Sequence, residues 1–416
     1  MIVTARGIRA FAYGLLGVLL AVALSQAGLA PAAIGLLITV SLIGDFCGTY
    51  LIGIFADGWG RRRTLLVLTL LMAATGITFA ATRVYLLLLA AAFFGTLGTS
   101  ASETAPFLPI EQAILPQVSD GANRTELFAR YNLVASFAGA LGALAAAVPD
   151  LLSHLGLPLA TGIRLMFGMY AAAALGVAVL VLQLSAKVEA PPTRRSSENS
   201  PSLRHRLTPS LGQSHGIILR LAALFSVDAL AGGLVVQSLM VLYFHLRFGV
   251  PLAPLGVLFF AANTLSALSF LAAVPLARRF GLLNTMVFTH LPSNVLLALV
   301  AVMPSFPLAA AVLLLRQVLS QMDVPTRQAY TMALVAPAER TASASVTSLA
   351  RSAGSSTSPI ISGLLLQGSV LALGLPFILA GGIKAAYDLS LWGIFRRVDL
   401  PEERTATFSG DDQRLD

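Results

Sequence analysis

The chain of 416 residues has a single cysteine, Cys47, and only 11% of its residues are charged. One cysteine excludes an intrachain disulfide and a cysteine-based metal site. Soluble domains carry charge on about a quarter of their residues, so this chain has too few charges to cover a surface in water. The chain also has no zinc-type pair of histidines, no glycine-rich phosphate loop and no nucleophile elbow, so we expect neither an enzyme nor a cofactor.

Apolar residues, in contrast, make up 56% of the chain. They recur in runs of about 20, and each run is long enough to cross the hydrocarbon core of a bilayer as a helix. The first run follows Arg6 and Arg9, and we expect an uncleaved helix there rather than a signal peptide. The sequence predicts twelve spans, near residues 9–30, 33–56, 64–82, 84–117, 127–149, 162–185, 217–244, 252–275, 281–303, 307–336, 343–368 and 370–395.

The basic residues indicate how these spans are oriented. The net charge is +8, and all but two of the 27 basic residues are arginines, mostly in short loops on one side of the twelve-span arrangement. Only Arg83, Arg164 and Arg247 fall on the other side. Basic loops face the cytoplasm, so both termini are expected there, and the partner of this basic chain is a lipid bilayer rather than nucleic acid. The high Ala and Arg content is typical of a bacterial inner membrane, and we expect a monomer.

The spans divide into two sets of six. A polar stretch rich in Pro, Ser and Arg covers residues 187–215 and reads as a cytoplasmic linker between bundles at 1–186 and 216–397, with a polar tail at 398–416. The halves also resemble each other, since five residues recur at one constant offset. Pro109, Gln112, Ala113, Arg124 and Thr125 reappear as Pro325, Gln328, Ala329, Arg340 and Thr341.

The fourth span is too long for a straight membrane helix. The stretch from Gly95 to Pro109 holds about five residues more than its counterpart in the second half, and Pro106 and Pro109 cannot donate to a helical ladder. We predict an unwound or kinked segment there that exposes backbone to a cavity. The alternative is a helix that ends early before a long loop.

One loop has a specific pattern. Gly53-Ile-Phe-Ala-Asp57-Gly-Trp-Gly60-Arg61-Arg62-Arg63 joins spans 2 and 3, and its spacing resembles the signature loop between helices 2 and 3 of major facilitator superfamily transporters. The resemblance implies an all-α fold of two six-helix bundles that work by alternating access, with the substrate between them near mid-membrane. It also implies a conformational latch of Gly53, Asp57, Gly60, Arg61 and Arg62, in which Asp57 engages the start of span 11.

Charged residues more than three positions inside a span are the candidates for function. Each costs about 2.5–3.5 kcal/mol at a helix centre, so it is expected to pair or to face a watery cavity. Six acids face four bases, so at least two carboxylates lack a cationic partner and are either protonated or in contact with water or a cationic substrate. The ten residues are Asp45, Glu103, Glu111, Asp228, Arg316, Asp323, Arg327, Arg351, Lys384 and Asp388.

Span 10 has the clearest pattern. Arg316, Ser320, Asp323 and Arg327 share one face of a helix, and Asp323 can pair with Arg327 one turn further on. The resemblance implies that spans 1, 4, 7 and 10 line the cavity, so this stripe would meet the substrate. The alternative is a self-neutralised stripe that only packs against other helices. Glu111 lies at the repeat position equivalent to Arg327, and we expect the two to attract across the halves as a gate.

Asp228 lies beside Gly232 and Gly233 in span 7, which predicts a proton or cation site. The alternative is a hydrogen bond from Asp228 to Asn263 or Gln237.

Asp45 in span 2 is either a proton site or an interhelical hydrogen-bond partner, and Glu103 in span 4 is a further candidate for proton coupling. Lys384 and Asp388 lie one turn apart, which predicts a local ion pair, and Arg351 is expected to reach the cytoplasmic interface.

The pattern is closest to bacterial proton-coupled, efflux-type members of the superfamily. The stretch 138–144 in span 5 nevertheless lacks the proline typical of drug exporters, and its small residues favour close helix packing. The leading interpretation is proton-coupled export of a small organic compound or ion. The alternatives are uptake of a small anion through Arg316 and Arg327, or a membrane sensor or scaffold that transports nothing.

Overall fold

The computed structural model describes residues 1–98, 106–115, 124–185, 188–189, 215–335, 339–369 and 372–397. The described residues are almost entirely α-helical. Those of the first half form eight helices: α1 (Ile2–Gln26), α2 (Pro31–Trp59), α3 (Arg61–Ala81), α4 (Tyr85–Phe94), α5 (Leu108–Ile114), α6 (Arg124–Ala145), α7 (Val148–His154) and α8 (Leu159–Leu182).

The described residues of the second half form nine helices. They are α9 (His215–Leu234), α10 (Gln237–Phe248), α11 (Leu252–Phe280), α12 (Leu282–Val300), α13 (Phe306–Leu319), α14 (Asp323–Ala333), α15 (Arg340–Thr357), α16 (Pro359–Leu365) and α17 (Leu375–Phe395).

These helices confirm the predicted all-α membrane fold. Within the described ranges, nine helical stretches are long and apolar enough to cross a membrane. Five spans contain two helices each: span 4 contains α4 and α5, span 5 contains α6 and α7, span 7 contains α9 and α10, span 10 contains α13 and α14, and span 11 contains α15 and α16. The first span begins at Ile2 rather than near residue 9, so Arg6 and Arg9 lie inside α1 and not in a loop before it.

The predicted interruption of span 4 is present. The helix stops at Phe94, residues 95–98 are not helical, and Gly98 has a φ of 56°, which only glycine adopts readily. The backbone of this segment is buried, since the Tyr170 hydroxyl donates to the Thr96 carbonyl and the Tyr13 hydroxyl donates to Thr96 Oγ1 over 3.0 Å. The expectation of an exposed backbone is therefore wrong for Thr96, because two tyrosines close over it.

Small residues bring the helices of each bundle into contact. A side chain at Gly14 of α1 would meet the Gly139 carbonyl of α6, and one at Gly142 of α6 would meet the Phe11 carbonyl. In the second half, a side chain at Gly354 of α15 would meet the Ser226 carbonyl of α9. The close packing predicted for the small residues of span 5 is confirmed, because glycine lets the two backbones touch.

The two bundles meet through three groups of helices. The helix α2 packs against α15 and α16, α6 packs against α11, and α1 packs against α10. We call the side of the molecule where α1 begins and α17 ends the terminal side, and the other the opposite side. Each span reverses the chain direction, so α2, α8 and α11 begin on the opposite side.

Candidate functional site

Asp228 lies at the centre of a buried ionic cluster in the second bundle. Its Oδ1 accepts a hydrogen bond from Lys384 Nζ over 2.5 Å, and its Oδ2 accepts one from Arg351 over 3.0 Å. A third cation, Arg327, lies 3.6 Å from the same carboxylate. Asp228, Arg327 and Lys384 are all buried. One carboxylate thus joins cations from α14, α15 and α17, which offsets the cost of burying these charges.

The cluster corrects three predictions. Asp228 does not bond Asn263 or Gln237, Lys384 does not pair with Asp388, and Arg351 turns into the cluster instead of only reaching the interface. The reason is helix orientation: α17 packs against both α9 and α12, so two residues one turn apart on α17 meet different neighbours. The Arg351 side chain remains 32% exposed, so it forms the exposed edge of the cluster.

The predicted pair within span 10 is confirmed. Arg327 donates to Asp323 Oδ2 over 2.7 Å, and both residues are buried in α14. The helix breaks between Leu319 and Asp323, so the polar stripe is divided and Arg316 lies on the preceding helix α13. Arg316 donates over 2.8 Å to Gln317, which also accepts a hydrogen bond from Ser320. Among the described residues, Arg316 makes no ion pair.

A second polar group lies beside the cluster, and the sequence analysis missed it. His290 Nδ1 of α12 lies 2.9 Å from Asp388 Oδ1 of α17, and the Asn294 amide donates to Asp388 Oδ2 over 2.8 Å. All three side chains are buried. The available signal was the four-residue spacing of His290 and Asn294, which places both on one face of a helix.

The first bundle has its own buried ion pair. Arg9 of α1 donates to Glu111 Oε2 of α5 over 2.7 Å, and the Tyr131 hydroxyl of α6 donates to the same oxygen over 2.6 Å. The Arg9 guanidinium also lies 4.1 Å from the centre of the Phe107 ring. In this conformation the predicted gate pair of Glu111 and Arg327 is absent, because each residue binds a partner inside its own bundle.

Asp45 differs from the other buried acids of the described residues, because one of its carboxylate oxygens has no described hydrogen-bond partner. It lies on α2 between Gly44, which touches the Phe93 carbonyl, and Gly48, which lies against Pro106. The carboxylate is buried, and its Oδ1 has no hydrogen-bond partner in the part of the chain that the structure describes. Asn263 on α11 likewise has an amide nitrogen without a described partner. Glu103 lies outside the described residues.

Comparison with known proteins gives the family. The model of the Major Facilitator Superfamily matches residues 2–359. The chain belongs to this superfamily.

A relative in Saccharomyces cerevisiae, an uncharacterized membrane protein, is 29% identical over 94% of this chain and 92% of its own length.

Two solved structures show the same fold. The nucleoside transporter NupG has a TM-score of 0.72 at 14% identity and is matched over 95% of this chain and 98% of its own. A D-xylose–proton symporter also has a TM-score of 0.72 at 14% identity, over 94% of this chain and 96% of its own. Superfamily membership makes the protein a multi-pass membrane transporter that works by alternating access, and it points away from an enzyme.

The loop of residues 53–63, whose pattern resembles the superfamily signature, is held by contacts that the sequence analysis missed. The helix α2 continues through Gly53 and ends at Trp59, and Gly60 turns the chain with a φ of 106°. The backbone N–H groups of Arg61 and Arg62 then donate to the Glu189 carboxylate over 2.7 and 3.2 Å.

The Arg62 side chain makes the reverse contact, because it donates to the carbonyl of Leu182 at the end of α8. A carboxylate at a helix start and a guanidinium at a helix end each satisfy free backbone groups. The Asp57 side chain lies outside what the structure describes, so the latch to span 11 stays a prediction.

The bundles meet on the opposite side. Gly35 of α2 lies against Pro359 and Gly363 of α16, and the backbone N–H of Ile360 donates to Thr39 Oγ1 over 3.0 Å. This contact joins the first turns of α2 to the helix that ends span 11.

Two further contacts lie elsewhere along the same seam. The backbone N–H of Ala253, at the start of α11, donates to Asp150 Oδ2 over 2.6 Å. Ser238 of α10 donates to the Gly17 carbonyl of α1 over 3.1 Å. These contacts join the two bundles along the part of the seam away from the termini.

Proposed function

We propose that this transporter uses the proton gradient to export a small organic compound or ion, with Asp45 as the proton-carrying residue. Asp45 supports the proposal because no described residue gives it a cation, and a buried carboxylate without a cation is costly in its charged form, so it readily holds a proton. Asp228 is less suited to this role in the present conformation, since three cations surround its carboxylate. Export follows the resemblance to efflux-type members, and the proposed location is the inner membrane, as a monomer.

The ionic cluster is the proposed switch that couples proton and substrate. Asp228 joins α9, α14, α15 and α17, so a change at one of its cations alters the packing of three other helices. Glu103 and Asn263 are proposed as further polar contacts for the substrate or proton. The latch of Gly53, Asp57, Gly60, Arg61 and Arg62 and the gate of Glu111 and Arg327 are proposed to form in other states of the cycle.

Arg316 favours a second candidate function, uptake of a small anion. More than three residues inside the spans, the described charges of the second bundle comprise four bases (Arg316, Arg327, Arg351 and Lys384) and three acids (Asp228, Asp323 and Asp388). Arg327 is committed to two carboxylates, whereas Arg316 bonds only the neutral Gln317 and its Nε has no described partner. An arginine with spare donors fits a carboxylate or phosphate on a solute.

Flux measurements test both candidates. The full-length protein is reconstituted in liposomes, a pH gradient is imposed in either direction, and a panel of cationic, neutral and anionic solutes is followed. The export proposal predicts solute movement against the proton flow, and the anion alternative predicts movement of anions alone, lost in Arg316→Gln. If no solute moves under any gradient, the non-transporting sensor or scaffold becomes the better description.

The Asp45→Asn variant tests the proton role. We expect it to fold, because Asp45 Oδ1 has no described hydrogen bond to lose, and to retain solute exchange without a gradient. Accumulation driven by the pH gradient should disappear. Normal gradient-driven accumulation in this variant would remove Asp45 from the coupling mechanism.

A further inference from the structure

A cavity of about 160 Å³ lies inside the first bundle, on the opposite side. It is formed where α1 and α3 end and α8 begins, with one wall from α4. Its base is apolar and includes Leu24, Phe79, Leu88, Ile163 and Phe167. The rings of Phe79 and Phe167 lie in contact, with centroids 5.4 Å apart. The cavity is therefore separate from the ionic cluster of the second bundle and from the seam between the bundles.

The rim of the same cavity is polar and basic. Gln26 and Thr82 contribute uncharged groups, and Arg83 and Arg164 contribute the only charges of the lining. Both arginine residues are exposed at their ends of the helices. An apolar base under a rim with two positive charges fits a molecule that has an anionic group above an apolar part.

Two other charged groups on this side, Arg247 and Asp150, already make hydrogen bonds. Arg247 donates to the Tyr243 hydroxyl and to the carbonyls of Ala301 and Met303. Asp150 accepts the backbone N–H of Ala253. Arg83 and Arg164 are thus the arginines of the opposite side for which the described residues show neither an ion pair nor a hydrogen bond, and both line one cavity.

The helix ends around the cavity contribute potential of both signs, negative at the ends of α1 and α3 and positive at the start of α8. At the end of α1, the Gly28 and Leu29 N–H groups close onto the Ser25 and Leu24 carbonyls, so these acceptors are occupied. The helix α8 begins at Leu159 and runs for 24 residues, so its start contributes positive potential near Arg164.

We propose that this cavity binds an anionic phospholipid of the surrounding leaflet, with its phosphate between Arg83 and Arg164 and its first acyl carbons on the Phe79–Phe167 base. Guanidinium groups match phosphate oxygens in pairs. The volume suits part of a lipid, since an engineered cavity of about 150 Å³ holds one benzene and drug-sized ligands need about 300 Å³ or more. The position at the helix ends places the arginines at the depth of lipid headgroups.

Native mass spectrometry of the full-length protein from nanodiscs tests the proposal. The nanodiscs contain phosphatidylcholine with or without phosphatidylglycerol, and retained lipid is counted for the wild type and for R83Q/R164Q. Ala160→Phe, at an exposed lining position, fills the cavity without changing charge. R278Q/R279Q is the matched control, because it removes two exposed arginines from the end of α11 on the terminal side.

We expect the wild type and the R278Q/R279Q control to retain phosphatidylglycerol in preference to phosphatidylcholine. Each arginine removed at the cavity should weaken retention about fivefold, and Ala160→Phe should also reduce it. The proposal is overturned if R83Q/R164Q retains phosphatidylglycerol like the control. It is also overturned if millimolar inorganic phosphate displaces the lipid, since the site would then bind a free anion.

Discussion

The Lys384 ammonium donates to Asp228 Oδ1 over 2.5 Å, and this contact joins the last membrane helix to the first helix of the same bundle. The two residues lie 156 positions apart. Because Asp228 also binds Arg351 and lies near Arg327, it is the single anion that three buried or half-buried cations share.

Because three cations share Asp228, we expect removal of its charge to cost more stability than removal of one cation. Asp228→Asn leaves three cations around a neutral amide, and breaking a buried pair costs about 3–5 kcal/mol, so we expect a large fall in melting temperature. Lys384→Met leaves Asp228 with Arg351 and should cost less. The double variant should be more stable than Asp228→Asn alone. Thermal unfolding in detergent measures all three, and an Asp228→Asn variant as stable as the wild type would contradict the cluster's role.

A charge-exchange experiment distinguishes Arg9 from Arg327 as the partner of Glu111. Arg9→Glu or Glu111→Arg alone places like charges in a buried site where the native groups lie 2.7 Å apart, and each should reduce stability strongly. Combining them should restore part of the loss. The combination of Glu111→Arg with Arg327→Glu should not restore stability, although recovery of transport by this second pair would support the gate in another state of the cycle.

The reciprocal contacts of α3 and α8 predict a role for Glu189. Glu189→Ala removes the acceptor of two N–H groups at the start of α3, and losing such a cap costs about 0.5–2 kcal/mol. We expect a lower melting temperature and faster proteolysis after residue 189. Arg63→Gln, an exposed neighbour without a described side-chain partner, is the control and should behave as the wild type. Equal proteolysis of both variants would show that Glu189 does not stabilise the start of α3.

The glycine contact between α2 and α16 predicts a way to open the opposite side. A side chain at Gly363 would lie 2.9 Å from the Gly35 Cα, so Gly363→Leu cannot keep this packing. Overpacking costs about 1–3 kcal/mol, which shifts the equilibrium towards the open state roughly fivefold or more.

Cysteine labelling measures this shift. Thr39→Cys is buried at the seam and, with Cys47→Ser, gives a single thiol. A membrane-impermeant maleimide added from the opposite side should react faster when Gly363→Leu is present. An unchanged labelling rate would mean that this contact does not control the opening.

The sequence predicted the elements that depend on local pattern. Apolar runs located the twelve spans, and two prolines with the unequal repeat located the interruption of span 4. The pair of Asp323 and Arg327 was predictable because residues four apart on a helix are neighbours. The two-bundle arrangement was likewise predictable from residues that recur at one constant offset, whereas the latch stays a prediction.

Partners on different helices were not predictable in the same way. Lys384 and Asp388 lie one turn apart, yet α17 turns one towards Asp228 of α9 and the other towards His290 of α12. The contact of Glu189 with the start of α3 likewise depends on how α3 and α8 are packed together. The breaks after Leu234 and Leu319 do have local signals that the sequence analysis did not use, since Gly232 and Gly233 precede the first and Pro325 lies in the first turn of the helix after the second.

The seam on the opposite side consists of glycine contacts and hydrogen bonds to backbone groups, and within the described residues every ion pair stays inside one bundle. Ionic strength screens charge attraction but has little effect on such packing. The opening of this seam should therefore be almost indifferent to salt concentration, and a solute that carries charge would unlock it only indirectly, by rearranging the ionic groups deeper in the second bundle.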